Sequence, residues 1–209
     1  MKHKYQEEYE TTVGLFWENK PAKYVRLFTE SINHDLTNFS VLDLGAGEGK
    51  NAVYLASLGS RVIAIDISSI ALSKFSLQNN FEQCKNNIDT INCNILDVDY
   101  EECQFDLVIA YGILHCLSNQ KQIELIIGKI KKWIKPNGYF IGATFTNKIP
   151  PPDIQEYLEF DSFLPEGTFE QLFAKWKIIY SEDEIITETH PTSKIPHEHS
   201  ITRLIAQKI

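Results

Sequence analysis

The 209-residue sequence predicts an α/β fold on a largely parallel sheet, and three observations carry that reading. Short continuous apolar runs such as FSVLDL, RVIAID and FDLVIAYG have the pattern of strands buried on both faces. Segments with apolar residues at helical spacing lie between them, so strand and helix alternate from Ser40 onward, which is the order that gives a parallel sheet covered by helices. A glycine-rich stretch, residues 42–51 (LDLGAGEGKN), joins the first strand to the next helix.

The elements follow in order. Residues 5–36 read as helical, with Val25, Leu27, Phe28 and Ile32 on one apolar side that would cover the sheet. After the strand FSVLDL, residues 50–58 (KNAVYLASL) place Ala52, Leu55, Ala56 and Leu58 at helical spacing, and Gly59 is a C-terminal stop. RVIAID is the second strand, and Ser68 or Ser69 can cap a helix over IALSKFSLQNN. TINCNILD and FDLVIAYG are the third and fourth strands. Residues 119–134 form a helix with Ile123, Ile126, Ile127, Ile130 and Trp133 inward, and Pro136, Asn137 and Gly138 turn the chain into the strand YFIGATF. KIPPP, residues 148–152, can continue neither a helix nor a central strand. Residues 165–176 read as a capped helix, WKIIYSEDEIITET as a long strand and SITRLIAQKI as the last strand. Without a long linker or a repeat, residues 1–209 are expected to form one domain, with 1–36 a helical N-terminal cover and 146–165 a connection beside the site.

The bulk numbers narrow the function. At 43% hydrophobic and 23% charged, the composition is that of a soluble globular protein. Lys+Arg 20 against Asp+Glu 28 gives a net charge of −8, and the densest basic run is only KIKK, residues 129–132. No nucleic-acid partner is expected from such a chain. Four cysteines lack any close CxxC pair and read as reduced, mostly buried thiols. No apolar segment reaches the ~18 residues that cross a bilayer and the N-terminus has no apolar leader core, so the expected location is the cytoplasm, with no membrane partner.

Strand end, GxGxG and helix start bring Gly45, Gly47 and Gly49 to a place where a ligand can approach the backbone and meet a helix N-terminus. The dinucleotide version is GxGxxG, and its third glycine is replaced here by Lys50, which disfavours a nucleotide-dependent oxidoreductase. Asp66 closes the second strand, where a carboxylate can accept both ribose hydroxyls of an adenosine-bearing ligand; its competing role is to cap the helix that follows.

VLDLGAGEG with an acidic strand end, then ILDVD, FDLVIAYGILHCL and WIKPNGYF, resembles the class I S-adenosylmethionine (SAM) dependent methyltransferases over about residues 39–145. GEGKNAVYLASLG, the lead-in LFWENKPAKYV, and the tail LPEGTFEQLFAKWKIIYSEDE with HEHSITRLIAQK are similar to the tellurite-resistance (TehB-like) and thiopurine-methyltransferase-like branch. The chain departs from that branch at Ala46, where many relatives carry Cys, and KIPPPDIQEYLEF fits it loosely. The resemblance implies a Rossmann-like three-layer sandwich whose mostly parallel seven-stranded sheet has one antiparallel strand at its C-terminal end, with SAM as cofactor. It also implies that Gly45, Ala46, Gly47, Gly49 and Asn51 flank the methionine half, with Asp43 near the ammonium. Asp66 would take the ribose, Ile67 the adenine face and Asp97 the adenine amino group. Tyr111 and His115, at and beyond the end of the fourth strand, become the candidates for the catalytic wall.

On the acceptor side the residues themselves suggest Trp17, whose ring can cover a sulfonium, together with His115 and the tail histidines. His197 and His199 alternate as a strand would and share one face; His190 lies nearby in sequence. No cysteine or acid stands at obvious ligand spacing from them and the family needs no metal, so no metal is expected. The aromatics Phe16, Trp17, Phe145, Tyr157, Phe160 and Phe163 would wall a small, partly apolar acceptor pocket. The expected reaction is methylation of a small molecule, a thiol or a tellurium or selenium species first, by a monomer or homodimer. The alternatives are O- or N-methylation of a specialised metabolite, or a SAM-binding module without turnover.

Overall fold

The computed structural model describes residues 5–31, 35–150, 162–189 and 195–209. Ile32, Tyr157, Phe160, His190 and most of KIPPPDIQEYLEF lie outside the described residues. Seven strands, β1 (Ser40–Leu44), β2 (Arg61–Asp66), β3 (Ile88–Asn92), β4 (Phe105–Tyr111), β5 (Ile134–Thr146), β6 (Lys177–Glu188) and β7 (His197–Gln207), form one sheet in the order β3-β2-β1-β4-β5-β7-β6. The pairs along β3-β2-β1-β4-β5 are parallel, and β7 runs antiparallel to both β5 and β6. The chain between β6 and β7, residues 189–196, is too short for the dozen or more residues of a parallel crossover, so β7 must return antiparallel. Strand order reverses between β1 and β4, which opens a crevice beyond their C-terminal ends.

Helices cover both faces. On one side α2 (Lys23–Ser31) and α3 (Lys50–Ser57) bury Tyr24, Val25, Phe28, Leu55 and Ala56 against Val41, Val62, Leu107 and Ile141. On the other, α6 (Gln120–Trp133) buries the five inward residues expected from its spacing against Leu42, Leu44, Val108 and Phe140. Adjacent residues of β1 thus enter opposite cores, as the two-residue period of a strand requires. Asn119 caps α6, its Oδ1 accepting from the Gln122 amide at 3.1 Å.

Several elements are shorter than their sequences suggest. The N-terminal cover is two helices, α1 (Gln6–Thr11) and α2, separated by irregular chain that carries Trp17. IALSKFSLQNN is not one helix: Ser68 caps α4 (Ser69–Ser73), a 3-10 turn follows over Lys74–Leu77, and α5 (Phe81–Cys84) begins only after Asn80 at φ 66°. The break coincides with Gln78, buried and donating from Nε2 to the Glu48 carbonyl at 2.8 Å. β3 starts earlier and stops at Asn92, because Asn94 accepts from the Leu96 amide at 3.0 Å in a local turn that removes ILD from the strand. The 165–176 helix contracts to α7 (Thr168–Leu172). Pro136, Asn137 and Gly138 do not precede β5 but form an irregularity within it, with Asn137 at φ 63° and the register shifting between Phe105 and Leu107.

Candidate functional site

The glycine loop leaves β1 and enters α3 with three left-handed residues, Gly45 at φ 68°, Gly47 at 56° and Gly49 at 85°. A Cβ at each would meet different things. At Gly45 it would lie 2.5 Å from the Ile113 side chain and at Gly49 2.7 Å from the Phe75 ring, whereas at Gly47 the nearest atom is the Tyr9 hydroxyl at 3.1 Å. Gly45 and Gly49 therefore also serve close packing, whereas at Gly47 the Tyr9 hydroxyl is the one near contact and the remainder is space.

That space is a cavity of about 240 Å³ beyond the C-terminal ends of β1, β2 and β4. Of the residues expected at the site, Trp17, Gly45, Ala46, Gly47, Asn51, Asp66, Ile67, Tyr111 and His115 line it. Asp43 and Gly49 are beside the loop but not on the wall. Asp97, expected to take the adenine amino group, is exposed and is not on the cavity wall of the ligand-free chain. Neither His197 nor His199 lines the cavity, and Phe145, which does, separates His199 from it. Phe16 and Phe163 are also off the wall, so of the six aromatics expected to wall the acceptor pocket, Trp17 and Phe145 reach it among the described residues.

Hydrogen bonds define how the wall is held. Asp66 Oδ2 accepts from the Gly47 amide and Oδ1 from the Ser68 amide, both at 2.8 Å, so this carboxylate braces the loop against the end of β2. Asn51 uses its Oδ1 on the Ala22 amide at 2.9 Å. Glu48, which the sequence reading passed over, is 2% exposed and accepts from the Phe16 amide at 3.0 Å and the Trp17 amide at 2.9 Å, with Lys74 Nζ 3.2 Å away. It ties the N-terminal cover onto the glycine loop and sets Trp17 over the cavity. The signal was present only as a lone acid inside GEG. Across the cavity β6 and β7 contribute Ile186, Glu188, Ile201 and Arg203, none of them expected, because strand pairing rather than sequence proximity brings them there. Cys116 is a further unexpected wall residue.

Rings stack on the far side. His115 lies 4.0 Å from Phe145 with planes 15° apart, and His199 lies on Phe145 at 4.2 Å and 8°. His115 is 2% exposed, and its Nδ1 accepts from the Phe145 amide at 3.3 Å. In the neutral ring the proton then sits on Nε2, which makes that atom a donor. Burial raises the Tyr111 phenol, with Arg203 opposing, and pushes the Tyr9 phenol well up, with Asp66 adding to it. Burial likewise raises Glu188, opposed by His197, Arg203 and Lys50.

Asp43 is 2% exposed, and its Oδ2 has no hydrogen-bond partner among the described residues. Burial and the Asp66 charge push it up to about 7, against the pull of Lys50 and the Ala52 amide. A carboxyl whose folded value is raised holds its proton more tightly when folded, so its share of stability is whole below the unfolded value near ~4 and is lost as pH climbs to about 7. Each pH unit in that window costs roughly 1.4 kcal/mol. Thermal melts of the ligand-free protein are expected to fall between about pH 4 and pH 7, while Asp43→Asn, which has no carboxyl to titrate, gives a flatter profile. Parallel curves for the two proteins would remove Asp43 from this role.

A methyltransferase domain model matches residues 41–138, from β1 through the glycine loop to the Asn137 irregularity. The probable S-adenosyl-L-methionine-dependent methyltransferase TehB of Haemophilus influenzae is 24% identical over 198 residues, 90% of this chain and 65% of that protein. The crystal structure of TehB from the same organism superposes with a TM-score of 0.74 at 20% identity, covering 98% of this chain and 66% of that one. The matched segment is a methyltransferase domain, and the chain around it is similar to the TehB-type SAM-dependent methyltransferases. It spans about 65% of the length of the curated TehB proteins it matches. The fold is also that of the Burkholderia thailandensis 1,6-didemethyltoxoflavin N1-methyltransferase, whose structure holds S-adenosylhomocysteine; there the TM-score is 0.59 at 20% identity, over 82% of this chain and 72% of that one. The TehB relative is named for its dependence on SAM. Among the described residues no helix is long and apolar enough to cross a membrane.

Proposed function

We propose that this TehB-like methyltransferase methylates a small-molecule acceptor, with soft nucleophiles such as thiols or selenium and tellurium oxyanions ahead of hydroxyls and amines. The observation that carries the proposal is a small cavity, about 240 Å³, bounded by the glycine loop and Asp66 on one side and by Trp17, Tyr111, His115 and Phe145 on the other. A cleft of that size with a largely apolar wall takes a small molecule rather than a polymer, and a net charge of −8 repels a large polyanion.

When bound, SAM would supply an electrophilic methyl carried on a sulfonium, with S-adenosylhomocysteine as the leaving group. The chain's share is binding, alignment and exclusion of water. Gly47 offers its bare backbone to the methionine half, and Asp43 supplies negative charge behind the loop for the ammonium. Asp66, braced by two amides, would also face the ribose hydroxyls, and Ile67 would lie on the adenine side. Trp17, fixed by Glu48, gives the sulfonium a ring face. Tyr111 and His115 orient the acceptor as donors: the phenol stays protonated, and the imidazole has committed Nδ1 to the Phe145 amide. An acceptor that ionises easily or carries an unshared pair needs no proton removed by these two residues, which is why soft nucleophiles come first.

The test is a panel assay reading S-adenosylhomocysteine release with tellurite, selenite, thiols, phenols, amines, tRNA and a mixed protein extract. Turnover is expected on thiols or the chalcogen oxyanions. Turnover on phenols alone would replace this reading by O-methylation, and turnover confined to tRNA or protein would end it.

A further inference from the structure

We propose that Glu188, His197 and His199 form a binding site for a divalent first-row transition metal, of the Zn²⁺ class, beside the acceptor end of the cavity. Each residue offers one ligand atom, and these atoms all lie within 4.8 Å of one another. Metal ligands at about 2.0–2.2 Å from a tetrahedral ion sit roughly 3.3 Å apart, so side-chain adjustments on the order of an ångström close the set. Strand pairing explains how a site invisible in the sequence arises. HEH places both histidines on one face of β7, each about 5% exposed, while Glu198 between them is exposed. The β6–β7 register then sets Glu188 directly opposite His197. The acid ligand absent at short spacing is supplied by the neighbouring strand.

Three further features suit the site to a metal. His197 Nδ1 lies 3.0 Å from the Ile195 carbonyl, so Nδ1 carries the proton and Nε2 is the ring nitrogen able to ligate, the arrangement by which backbone carbonyls orient metal-binding histidines. His199 is held by its stack on Phe145 and by the edge of the His197 ring at 4.8 Å, which limits both imidazoles to a narrow set of orientations. The nearest cation on β7, Arg203, is paired with Glu184 at 2.5 Å and has Glu182 at 3.9 Å. Two imidazoles and a carboxylate favour zinc, iron, nickel or copper over magnesium or calcium, which prefer all-oxygen sets. Glu188 lines the cavity, so an ion on its carboxylate adjoins the acceptor space. If methyl transfer is as proposed above, the ion would hold an oxyanion or thiolate acceptor by its nucleophilic atom.

The experiment uses the full chain with a purification tag free of histidine, stripped of metal by a chelator and titrated with Co²⁺ followed by its ligand-field absorbance. Zn²⁺ competition gives the affinity, and S-adenosylhomocysteine calorimetry is run on every sample. The native chain is expected to take up one equivalent of Co²⁺, displaced by Zn²⁺. His197→Ala/His199→Ala should abolish the absorbance, and the near-isosteric Glu188→Gln should weaken uptake by more than about 10-fold, since loss of a ligand exceeds loss of a mere supporting partner. All variants should still bind S-adenosylhomocysteine, which shows that they are folded and separates this result from the fate of the methyltransferase reading. No uptake by the native chain, or an unchanged titration in Glu188→Gln and in the double variant, overturns the site.

Discussion

Gly47→Val is expected to abolish measurable binding of SAM and S-adenosylhomocysteine while leaving the protein folded. Of the three loop glycines it is the one whose missing side chain would clash with almost nothing in the protein, its Cβ finding only the Tyr9 hydroxyl at 3.1 Å. The same change at Gly45 or Gly49 would drive atoms into Ile113 or Phe75 at 2.5 and 2.7 Å, and any loss of binding there would be confounded with loss of packing. At Gly47 the added branches enter the cavity, in the space that the cofactor's methionine half would occupy. The backbone cost is the left-handed conformation at φ 56°, roughly 1–2 kcal/mol for a residue with a Cβ. For a chain of this size that lowers the melting midpoint by roughly 2–8 °C. Calorimetry should give at least a ~100-fold loss, or about 2.7 kcal/mol, with Gly47→Ala intermediate. Normal S-adenosylhomocysteine affinity in Gly47→Val would mean that the loop glycines serve the turn alone.

Asp66→Ala should weaken the cofactor by about 10- to 150-fold for each ribose hydrogen bond lost, since a bond to a charged acceptor contributes roughly 1.5–3 kcal/mol. The structure adds a second consequence. The carboxylate also accepts from the Gly47 and Ser68 amides, so alanine leaves two buried donors without their acceptor at a cost of roughly 1–3 kcal/mol each. Binding and stability would therefore fall together, and a single variant cannot separate a brace from a ribose contact. A cycle with 2′-deoxy-S-adenosylhomocysteine does: removing the hydroxyl should weaken binding to the native chain strongly and to Asp66→Ala hardly at all. Equal losses in both proteins would confine Asp66 to bracing the loop, and unchanged affinity in a folded Asp66→Ala would take it out of the site altogether.

What could be read along the chain was whatever depends on neighbours in sequence. Two-sided apolar strands, the inward stripe of α6, the Ser68 cap and the glycine loop are local patterns, because a strand's faces alternate every two residues and a helix repeats every 3.6. They led to the parallel sheet, while the family resemblance supplied the antiparallel strand and most of the nine candidate residues that line the cavity. Local pattern failed where a distant partner outweighed it. Helical spacing through IALSKFSLQNN yielded at Gln78, whose side chain is held by the Glu48 carbonyl, and the third strand ended early at the Asn94 turn. Glu48 looked like one acid among many until Phe16 and Trp17, more than thirty residues earlier, were found bonded to it. Glu188 had no visible relation to His197 because eight residues of connection separate them in sequence, whereas the β6–β7 ladder sets them face to face. The sequence by itself determined the fold class and the cofactor loop, since each is written in spacings within a few turns of chain. Only the tertiary structure decided the wall opposite the loop, because cross-strand register and buried side-chain bonds, not proximity along the chain, choose which groups meet there.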